Sequence, residues 1–162
     1  MTTTPRLRPA ARGLIIDESD RILLCRIDLP HVVVWCAPGG GVDPAETTLQ
    51  GLRRELTEEV GLGLEAEPRH VWHQEVVADG HAAGYDGVIN DYFLIRTSHF
   101  TPRGSWSDEV LAAESIGGFR WWTVAEIDDH EGAAVFSPRA LGALLKPILA
   151  GDLPEPPVQL GI

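Results

Sequence analysis

The sequence predicts an α/β fold in which helices pack on the faces of a mixed β-sheet. Segments with the pattern of strands are interleaved with segments whose apolar residues recur at helical spacing. Some neighbouring strands are joined by connections too short for a helical crossover, which requires antiparallel pairing in part of the sheet. The chain has 162 residues, 44% hydrophobic and 23% charged, enough for one domain with a substantial core.

We expect one domain over residues 8–150 and an extended tail over residues 151–162, which contains three prolines. No apolar run approaches the ~20 residues that a membrane span needs. Residues 1–12 are polar and basic, without the apolar segment of a secretory signal. Cys25 and Cys36 lie in apolar, strand-like runs and are expected to be buried thiols rather than a disulfide. These features favour a cytoplasmic protein.

The net charge of −11 limits the partners that this chain can bind. Duplex nucleic acid and anionic membranes attract surfaces rich in Lys and Arg, so neither is expected as a partner. A small phosphorylated ligand is still compatible with an acidic protein, because bound metal ions reverse the local charge.

The first part of the chain predicts a β-hairpin, a third strand and a glycine loop. Residues 12–17 and 21–27 have the pattern of strands, and the polar segment 18–20 is expected to be the turn between them. Residues 32–36 form a third apolar strand. The glycines at 39–41 then predict a loop whose backbone can approach a ligand closely.

The clearest helix prediction covers residues 45–60. Its apolar stripe consists of Leu49, Leu52, Leu56 and Val60. Asp43–Pro44 is expected at the helix start, where an acid and a proline are both favoured. Gly61 and Gly63 are expected to end the helix.

The second half of the chain predicts strands over residues 70–78 and 88–97, joined by a loop over residues 79–87. A short strand over residues 119–123 and a helical turn over residues 124–128 follow.

A final helix is expected near the end of the domain. Ser137–Pro138 should open it, and its apolar positions are Leu141, Leu144, Leu145 and Ile148. Pro147 should kink this helix or mark its end.

The strongest chemical signal is the acid cluster on the predicted helix. At about 100° per residue, three carboxylates share one arc beside the apolar stripe. They are Glu55, Glu58 and Glu59. On the same helical projection, Arg53 and Arg54 lie outside this arc. The cluster is either a solvated surface, with Arg54 and Glu58 as an i,i+4 pair, or a site for a hard divalent cation such as Mg²⁺ or Mn²⁺.

The segment from Gly40 to Leu62 resembles the Nudix box. The matching residues are Gly40, Glu46, and then Arg54-Glu55-Leu56-x-Glu58-Glu59-x-Gly61-Leu62. Trp35–Gly41 resembles the strand and loop that precede the box, and Phe119–Trp122 resembles the strand that follows it. Ala45 stands where the family commonly has glycine, so we expect a changed loop and an intact site.

The resemblance implies a Nudix-like α/β/α sandwich with a mixed central sheet. It also implies Mg²⁺- or Mn²⁺-dependent hydrolysis of the pyrophosphate bond in a nucleoside diphosphate linked to another moiety, by attack of water at phosphorus. Two alternatives are a nucleotide-binding regulatory module without turnover and an acidic α/β protein whose acids are simply solvated. The expected partner is a small nucleotide, and a homodimer is compatible with the family.

The resemblance implies roles for particular residues in this site. Glu58 and Glu59 would be metal ligands, and a carbonyl of the Gly39–Gly40 pair would complete the metal shell. Glu55 would be a metal ligand or the general base. Arg54 would orient a glutamate.

Two further acids lie outside the helical arc. Glu46 is assigned to catalysis through the box, but it lies nine residues before Glu55, about half a turn out of phase on a continuous helix. It can face the site only if the chain there is not helical; otherwise it supports the loop and the helix start. Glu114 stands where family members often supply another metal ligand, and Asp108 and Glu109 are its competitors.

The substrate-binding residues are unknown from the sequence. Five aromatic residues could stack on a base: Trp35, Trp72, Tyr92, Phe93 and Trp106. Core packing is favoured for all of them except Trp106, which lies in a loop-like segment. The six histidines have no ligand spacing, so structural or solvent-exposed roles are expected rather than a zinc site.

Overall fold

The computed structural model describes residues 4–78 and 83–161. Within these ranges the chain forms a single mixed sheet and four helices. The strands are β1 (Leu7–Ile16), β2 (Ile22–Asp28), β3 (Val33–Cys36), β4 (Gly39–Gly41), β5 (Arg69–Val77), β6 (Gly87–Arg96), β7 (Ile116–Trp122), β8 (Val135–Ser137) and β9 (Val158–Leu160). The helices are α1 (Thr48–Glu59), α2 (Asp108–Ala113), α3 (Val124–Asp128) and α4 (Leu141–Leu149).

The strand order confirms the prediction of a mixed sheet. Along the sheet the order is β8-β3-β2-β1-β6-β5-β9, with β4 also pairing with β1 and β7 with β2. The β1–β6, β3–β8 and β5–β9 pairs are parallel, and the other pairs are antiparallel. On the side of β1 away from β6, residues Ala10–Arg12 pair with β4, and Ile16 pairs with β2.

Helices cover both faces of the sheet, as expected for an α/β/α sandwich. Alternate residues of β1 point to opposite faces. Leu14 belongs to a core cluster that includes Leu145 of α4, whereas Ile15 belongs to a cluster that includes Leu52 and Leu56 of α1. The apolar stripe predicted for α1 therefore packs on the sheet.

The predicted hairpin turn between β1 and β2 is confirmed, and Asp17 organises it. The Asp17 carboxylate is 1% exposed and its Oδ1 accepts hydrogen bonds from the backbone N–H groups of Ser19 (2.9 Å) and Arg21 (3.0 Å). Asp20 has a positive φ of 57°, a conformation that Asp tolerates better than most residues.

The predicted start of the first helix is wrong by three residues. Helix α1 begins at Thr48 because Thr47 and Gln50 form a capping box. The Gln50 N–H donates to Thr47 Oγ1 (3.2 Å), and the Thr47 N–H donates to Gln50 Oε1 (2.9 Å). Asp43–Pro44 therefore lies outside the helix, and Glu46 stands on non-helical chain before it.

The glycine segment is a short strand rather than the predicted loop. Gly39–Gly41 forms β4, and its residues pair with Ala10–Arg12 of β1. A Cβ on Gly39 would lie 2.1 Å from the Ala11 carbonyl oxygen, and Gly39 has a φ of +142°. The absence of side chains allows this close pairing.

Two other boundaries differ from the predictions. Strand β7 begins at Ile116, before the predicted residue 119, and pairs with β2 up to Ile27. Ser137 ends β8 instead of opening the final helix, because β8 pairs in parallel with β3. Helix α4 begins at Leu141 and continues past Pro147 to Leu149, so the proline does not end it. Helix α3 forms at the predicted helical turn.

The end of the chain returns to the sheet. Within the tail expected over residues 151–162, Val158–Leu160 forms β9 and pairs in parallel with Trp72–Gln74 of β5. Leu160 packs against the core cluster on the α4 side. This segment is therefore an edge strand and not a free tail. The loop predicted over residues 79–87 lies partly outside the described residues.

Cys25 and Cys36 are register partners across β2 and β3, and both thiols are buried and free, as predicted. In the part of the chain that the structure describes, no helix has the length and hydrophobicity to cross a membrane.

Candidate active site

A cavity of about 880 Å³ lies beside β4 and α1. It brings together most of the residues assigned to the site from the sequence. These are Gly39, Gly40, Arg54, Glu55, Glu58, Glu59 and Glu114. The helical arc of acids and the glycine strand therefore form one wall of a single concave site.

Gly40 and Glu55 are in direct contact. A Cβ built on Gly40 would lie 2.7 Å from Glu55 Cδ and 2.8 Å from each carboxylate oxygen. Any side chain at this position would displace the carboxylate. The strand β4 thus brings bare backbone against the acids of α1, at the place where the sequence predicted a metal-binding carbonyl.

Two of the three acids on the arc are buried. Glu55 is 8% exposed and Glu59 is 5% exposed, which agrees with their predicted position beside the apolar stripe. Burial raises the pKa of Glu59 to about 8, and the charge of Glu55 adds to the rise. The Gly39 N–H, which donates to Glu59 Oε2 at 3.0 Å, opposes this rise. Burial also raises the pKa of Glu55, against the opposing charge of Arg54.

This donor set suits a hard divalent cation. Carboxylate oxygens and backbone carbonyls are the ligands that Mg²⁺ and Mn²⁺ prefer. Burial is the main cause of the raised pKa values of Glu55 and Glu59, and the charges of neighbouring carboxylates add to the rise. A divalent cation among these carboxylates would stabilise their ionised forms.

Arg54 ties the acids to the segment before the helix. Its Nε and Nη2 donate to the two carboxylate oxygens of Glu46, each at 2.9 Å. Its Nη1 donates to Glu55 Oε1 (3.1 Å) and Glu58 Oε2 (3.2 Å), and Nη2 also donates to the Gly41 carbonyl (3.0 Å). Helical periodicity predicts that Arg54 lies away from the arc of acids, but the long Arg54 side chain reaches two of the three, Glu55 and Glu58.

Glu46 binds Arg54 and is not among the described residues that line the cavity. Its hydrogen bond with Arg54 lowers the pKa of Glu46 to about 2, and the Asp43 N–H donates to Glu46 Oε1 at 2.9 Å. Because α1 starts after Glu46, the chain can turn this side chain towards Arg54 despite the unfavourable helical phase.

Of the three acids considered for the later ligand, Glu114 is the one that lines the cavity. It is the C-cap residue of α2, and its side chain is exposed. Asp108 accepts a hydrogen bond from Arg103 Nη1 at 2.6 Å, and neither Asp108 nor Glu109 is among the described lining residues.

A polar chain that was not predicted from the sequence lies on the sheet side of the cavity. Arg12 Nε donates to Asn90 Oδ1 (3.1 Å), Asn90 Nδ2 donates to Gln74 Oε1 (3.2 Å), and Gln74 Nε2 donates to the Gly161 carbonyl (2.8 Å). Arg12, Gln74 and Asn90 all line the cavity. A signal was present, because Gln74 alternates with Trp72 and Val76, and Asn90 alternates with Val88 and Tyr92, so each is a polar residue in an apolar alternation.

The aromatic residues follow the expectation of core packing. Trp72, Tyr92 and Phe93 are buried in the core, and Trp35 packs edge-on against Trp122 with 5.2 Å between ring centroids. Trp106 differs, as expected from its context: it is half-buried and lines the cavity.

The histidines have no ligand spacing along the sequence, but two of them come together in the fold. His70 and His73 meet at Asp91, where the three potential ligand atoms lie within 4.8 Å of one another. The cause is a bulge in β5 between His70 and Trp72, which a sequence pattern does not reveal.

The comparison with protein families decides the assignment of the chain. A family model described as the NUDIX domain matches residues 6–141. The chain belongs to the Nudix family. This result confirms the resemblance based on the box from Gly40 to Leu62.

Individual Nudix relatives agree over part of the chain. RNA pyrophosphohydrolase of Helicobacter pylori (strain G27) is 37% identical over 79 residues, which is 46% of this chain and 50% of that protein. Nucleoside triphosphatase NudI of Enterobacter sp. (strain 638) is 38% identical over 86 residues, which is 50% of this chain and 61% of that protein. The match thus spans about half the length of the first relative.

Solved structures of the family share the fold. The NUDIX domain of Shewanella oneidensis NrtR, complexed with ADP ribose, superposes with a TM-score of 0.64 and 16% identity, covering 91% of this chain and 90% of that chain. At this level of identity the likeness establishes the Nudix fold alone, and it confirms the predicted fold class.

Proposed function

We propose that this Nudix protein is a metal-dependent hydrolase that cleaves the pyrophosphate bond of a nucleoside diphosphate linked to another moiety, by attack of water at phosphorus. The observation that carries the proposal is the convergence of Glu55, Glu58, Glu59 and the Gly39–Gly40 backbone on one cavity. Relatives named as an RNA pyrophosphohydrolase and a nucleoside triphosphatase support hydrolysis of this type of bond.

Nudix enzymes generally need a divalent metal. The wall formed by Glu55, Glu58 and Glu59, here called the acid wall, is where this chain would hold Mg²⁺ or Mn²⁺. We assign Glu58 and Glu59 as ligands, with Glu55, a carbonyl of the Gly39–Gly40 pair and Glu114 as further donors. When bound, the metal would neutralise the diphosphate and lower the pKa of the attacking water.

The remaining site residues act on these acids. Arg54 holds Glu55 through Oε1 and thereby sets the direction of its second carboxylate oxygen. Burial raises the pKa of Glu55, which suits it to accept a proton from the attacking water if it is not a metal ligand. Glu46 is a positioning residue that acts through Arg54.

Positive charge in the cavity can bind the substrate phosphates. Arg8 and Arg12 both line the cavity, and the Arg8 guanidinium lies against Gly41 of the glycine strand. The proposed substrate is therefore a small nucleotide. We propose residues 8–150 as the catalytic domain, with β9 of the following segment pairing on the edge of its sheet. A cytoplasmic location, a homodimer and the absence of duplex nucleic acid and membrane as partners stay predictions.

The test is a panel of pyrophosphate-containing nucleotides assayed with Mg²⁺ or Mn²⁺. The panel includes ADP-ribose, nucleoside triphosphates and a short RNA with a 5′ triphosphate. Glu58→Gln and Glu59→Gln should each lose about 100-fold or more in kcat/KM, since each removes a charged donor. Glu109→Gln is the matched control, because Glu109 is an exposed acid outside the cavity lining.

Two results would contradict the proposal. One is that no pyrophosphate bond in the panel is cleaved. The other is that the Gln variants turn over as fast as the wild type. Nucleotide binding measured by calorimetry without any product would instead support the regulatory module that binds without turnover.

A further inference from the structure

A cluster of two histidines and an aspartate lies on β5 and β6, away from the acid wall. His73 Nδ1 is 2.6 Å from Asp91 Oδ1, and His70 Nε2 is 2.9 Å from the same oxygen. The three side chains are between 21% and 35% exposed, so solvent can reach them. Two imidazoles and one carboxylate are a common ligand set for transition metals.

The bulge in β5 creates this cluster. In a regular strand, residues three positions apart point to opposite faces of the sheet. The register between β5 and β6 shifts between His70 and Trp72, which places His70 on the same face as His73. His73 is the register partner of Asp91, so all three side chains meet on one face.

This face is opposite to the one that lines the active-site cavity. Gln74 and Asn90 line the cavity. Gln74 directly follows His73 in the chain, and Asn90 directly precedes Asp91. Because neighbouring residues of a strand point to opposite faces, His73 and Asp91 project away from the cavity. The cluster shares this face with Phe93, which packs with α1, but none of its three residues is among the described residues that line the cavity.

Neighbouring groups hold both imidazoles in fixed orientations. His73 Nε2 lies 3.2 Å from Glu75 Oε2, which leaves Nδ1 directed at Asp91. A carboxylate on the outer nitrogen of a histidine is the arrangement that orients metal-bound histidines in proteins. The His70 ring stacks on Phe93 at 4.9 Å with an interplanar angle of 23°.

We propose that His70, His73 and Asp91 form a second metal site, selective for Zn²⁺ and similar borderline cations over Mg²⁺. Imidazole nitrogen favours these cations, whereas the acid wall offers only oxygen. A tetrahedral Zn²⁺ site needs ligand atoms about 3.3 Å apart, so the contacts of 2.6 Å and 2.9 Å to Asp91 Oδ1 have to open by about 0.7 and 0.4 Å. His70 Nε2 also has to leave the Trp72 carbonyl oxygen, which lies 3.0 Å away. Water can occupy the remaining position, because the cluster is partly exposed.

Protons compete with the metal for this site. In the metal-free protein, His73 lies between two carboxylates. Although burial opposes its charge, the hydrogen bonds to Asp91 and Glu75 raise the pKa of His73. Binding of Zn²⁺ must displace the proton on Nδ1, so the metal replaces one positive charge with two beside Asp91.

The experiment is a Zn²⁺ titration by calorimetry on the full chain that carries Glu58→Gln and Glu59→Gln. This background weakens binding at the acid wall. We expect one Zn²⁺ to bind per chain, with excess Mg²⁺ unable to displace it. Adding His73→Gln or Asp91→Asn should weaken binding at least tenfold, and Glu75→Gln should weaken it about tenfold. His31→Gln is the matched control, because His31 is exposed and outside the cluster.

Co²⁺ provides a second measurement that needs no substitution in the cluster itself. Its visible absorption should report nitrogen ligation and low coordination number in the Glu58→Gln, Glu59→Gln background, and Zn²⁺ should displace it. The proposal is overturned if Zn²⁺ binding is absent in that background, if it survives His73→Gln and Asp91→Asn unchanged, or if Mg²⁺ displaces the ion.

Discussion

Arg54 forms a bidentate ion pair with Glu46, in which Nε and Nη2 each donate a hydrogen bond of 2.9 Å to one carboxylate oxygen. Such a two-point contact between a guanidinium and a carboxylate fixes direction as well as distance. The remaining nitrogen, Nη1, is thereby aimed at Glu55 and Glu58. A residue outside the cavity thus sets the orientation of two acids inside it.

Replacing Arg54 by lysine should impair the site although the charge is kept. A lysine ammonium cannot make the planar contact with Glu46 and reach Glu55 and Glu58 at the same time. We expect kcat to fall about tenfold or more and the affinity for Mn²⁺ to weaken by a similar factor. Steady-state kinetics and a Mn²⁺ titration measure both.

The neighbouring Arg53→Lys provides the control for this change. Arg53 is exposed, and its hydrogen bond is to the Leu64 carbonyl. It should leave kcat and Mn²⁺ affinity within about twofold of the wild type. Equal activity of Arg54→Lys and Arg53→Lys would argue against the positioning role of Arg54.

A single methyl group at Gly40 should disable the site and leave the fold intact. The added Cβ would lie 2.7 Å from Glu55 Cδ, and this neighbour is the end of a flexible side chain that can move aside. We expect at least a tenfold loss of kcat for Gly40→Ala, with a thermal midpoint only a few degrees lower, measured by activity assay and calorimetry.

Gly63→Ala is the matched substitution, since a Cβ there meets no atom within 4 Å. It should be as active as the wild type. The interpretation of the Gly40–Glu55 contact fails if Gly40→Ala retains full activity, or if both glycine variants lose activity alike.

The carboxylate of Asp17 should make the stability of the protein depend on pH in the acid range. Although burial opposes its charge, hydrogen bonds from the Arg21 N–H, His99 and the Ser19 N–H lower the pKa of Asp17. A folded pKa below the unfolded value stabilises the protein at neutral pH, and this contribution is lost as pH falls through the folded pKa.

We therefore expect Asp17→Asn to lower the free energy of unfolding by about 1–3 kcal/mol at pH 7 and by less at pH 3, which lies below the ordinary aspartate pKa of 3.8. Urea unfolding at the two pH values measures the difference, with Asp152→Asn as an exposed control. A pH-independent effect of Asp17→Asn would show that the ionised carboxylate is not the source of the stabilisation.

The docking of β9 can be tested at Leu160. Leu160 packs against the core, whereas Val158 on the same strand is 41% exposed. Leu160→Ala should lower the free energy of unfolding by about 1–2 kcal/mol, because it removes apolar contact area. Val158→Ala should cost less than about 0.5 kcal/mol. Equal small losses, measured by urea unfolding, would mean that residues 158–160 form a free tail in solution.

Features that depend on neighbouring residues along the chain could be predicted from the sequence. The arc of Glu55, Glu58 and Glu59 follows from helical periodicity, and the burial of Glu55 and Glu59 follows from their position beside the apolar stripe. The helix start was misplaced because Thr47 and Gln50 form a local capping box that outweighs the signal of Asp43–Pro44.

The family, the α/β class and the acids of the candidate metal wall can all be predicted from the chain, because periodicity and fixed motif spacing are local properties. Four contacts became visible in the folded protein alone: Arg54 with Glu46, the glycines with β1, Arg12 with Asn90, and His70 with His73 at Asp91. Each of these depends on strand pairing, a register shift or a side chain crossing between elements. Such contacts join residues far apart in the chain or shift the face on which a residue lies, so no local pattern encodes them.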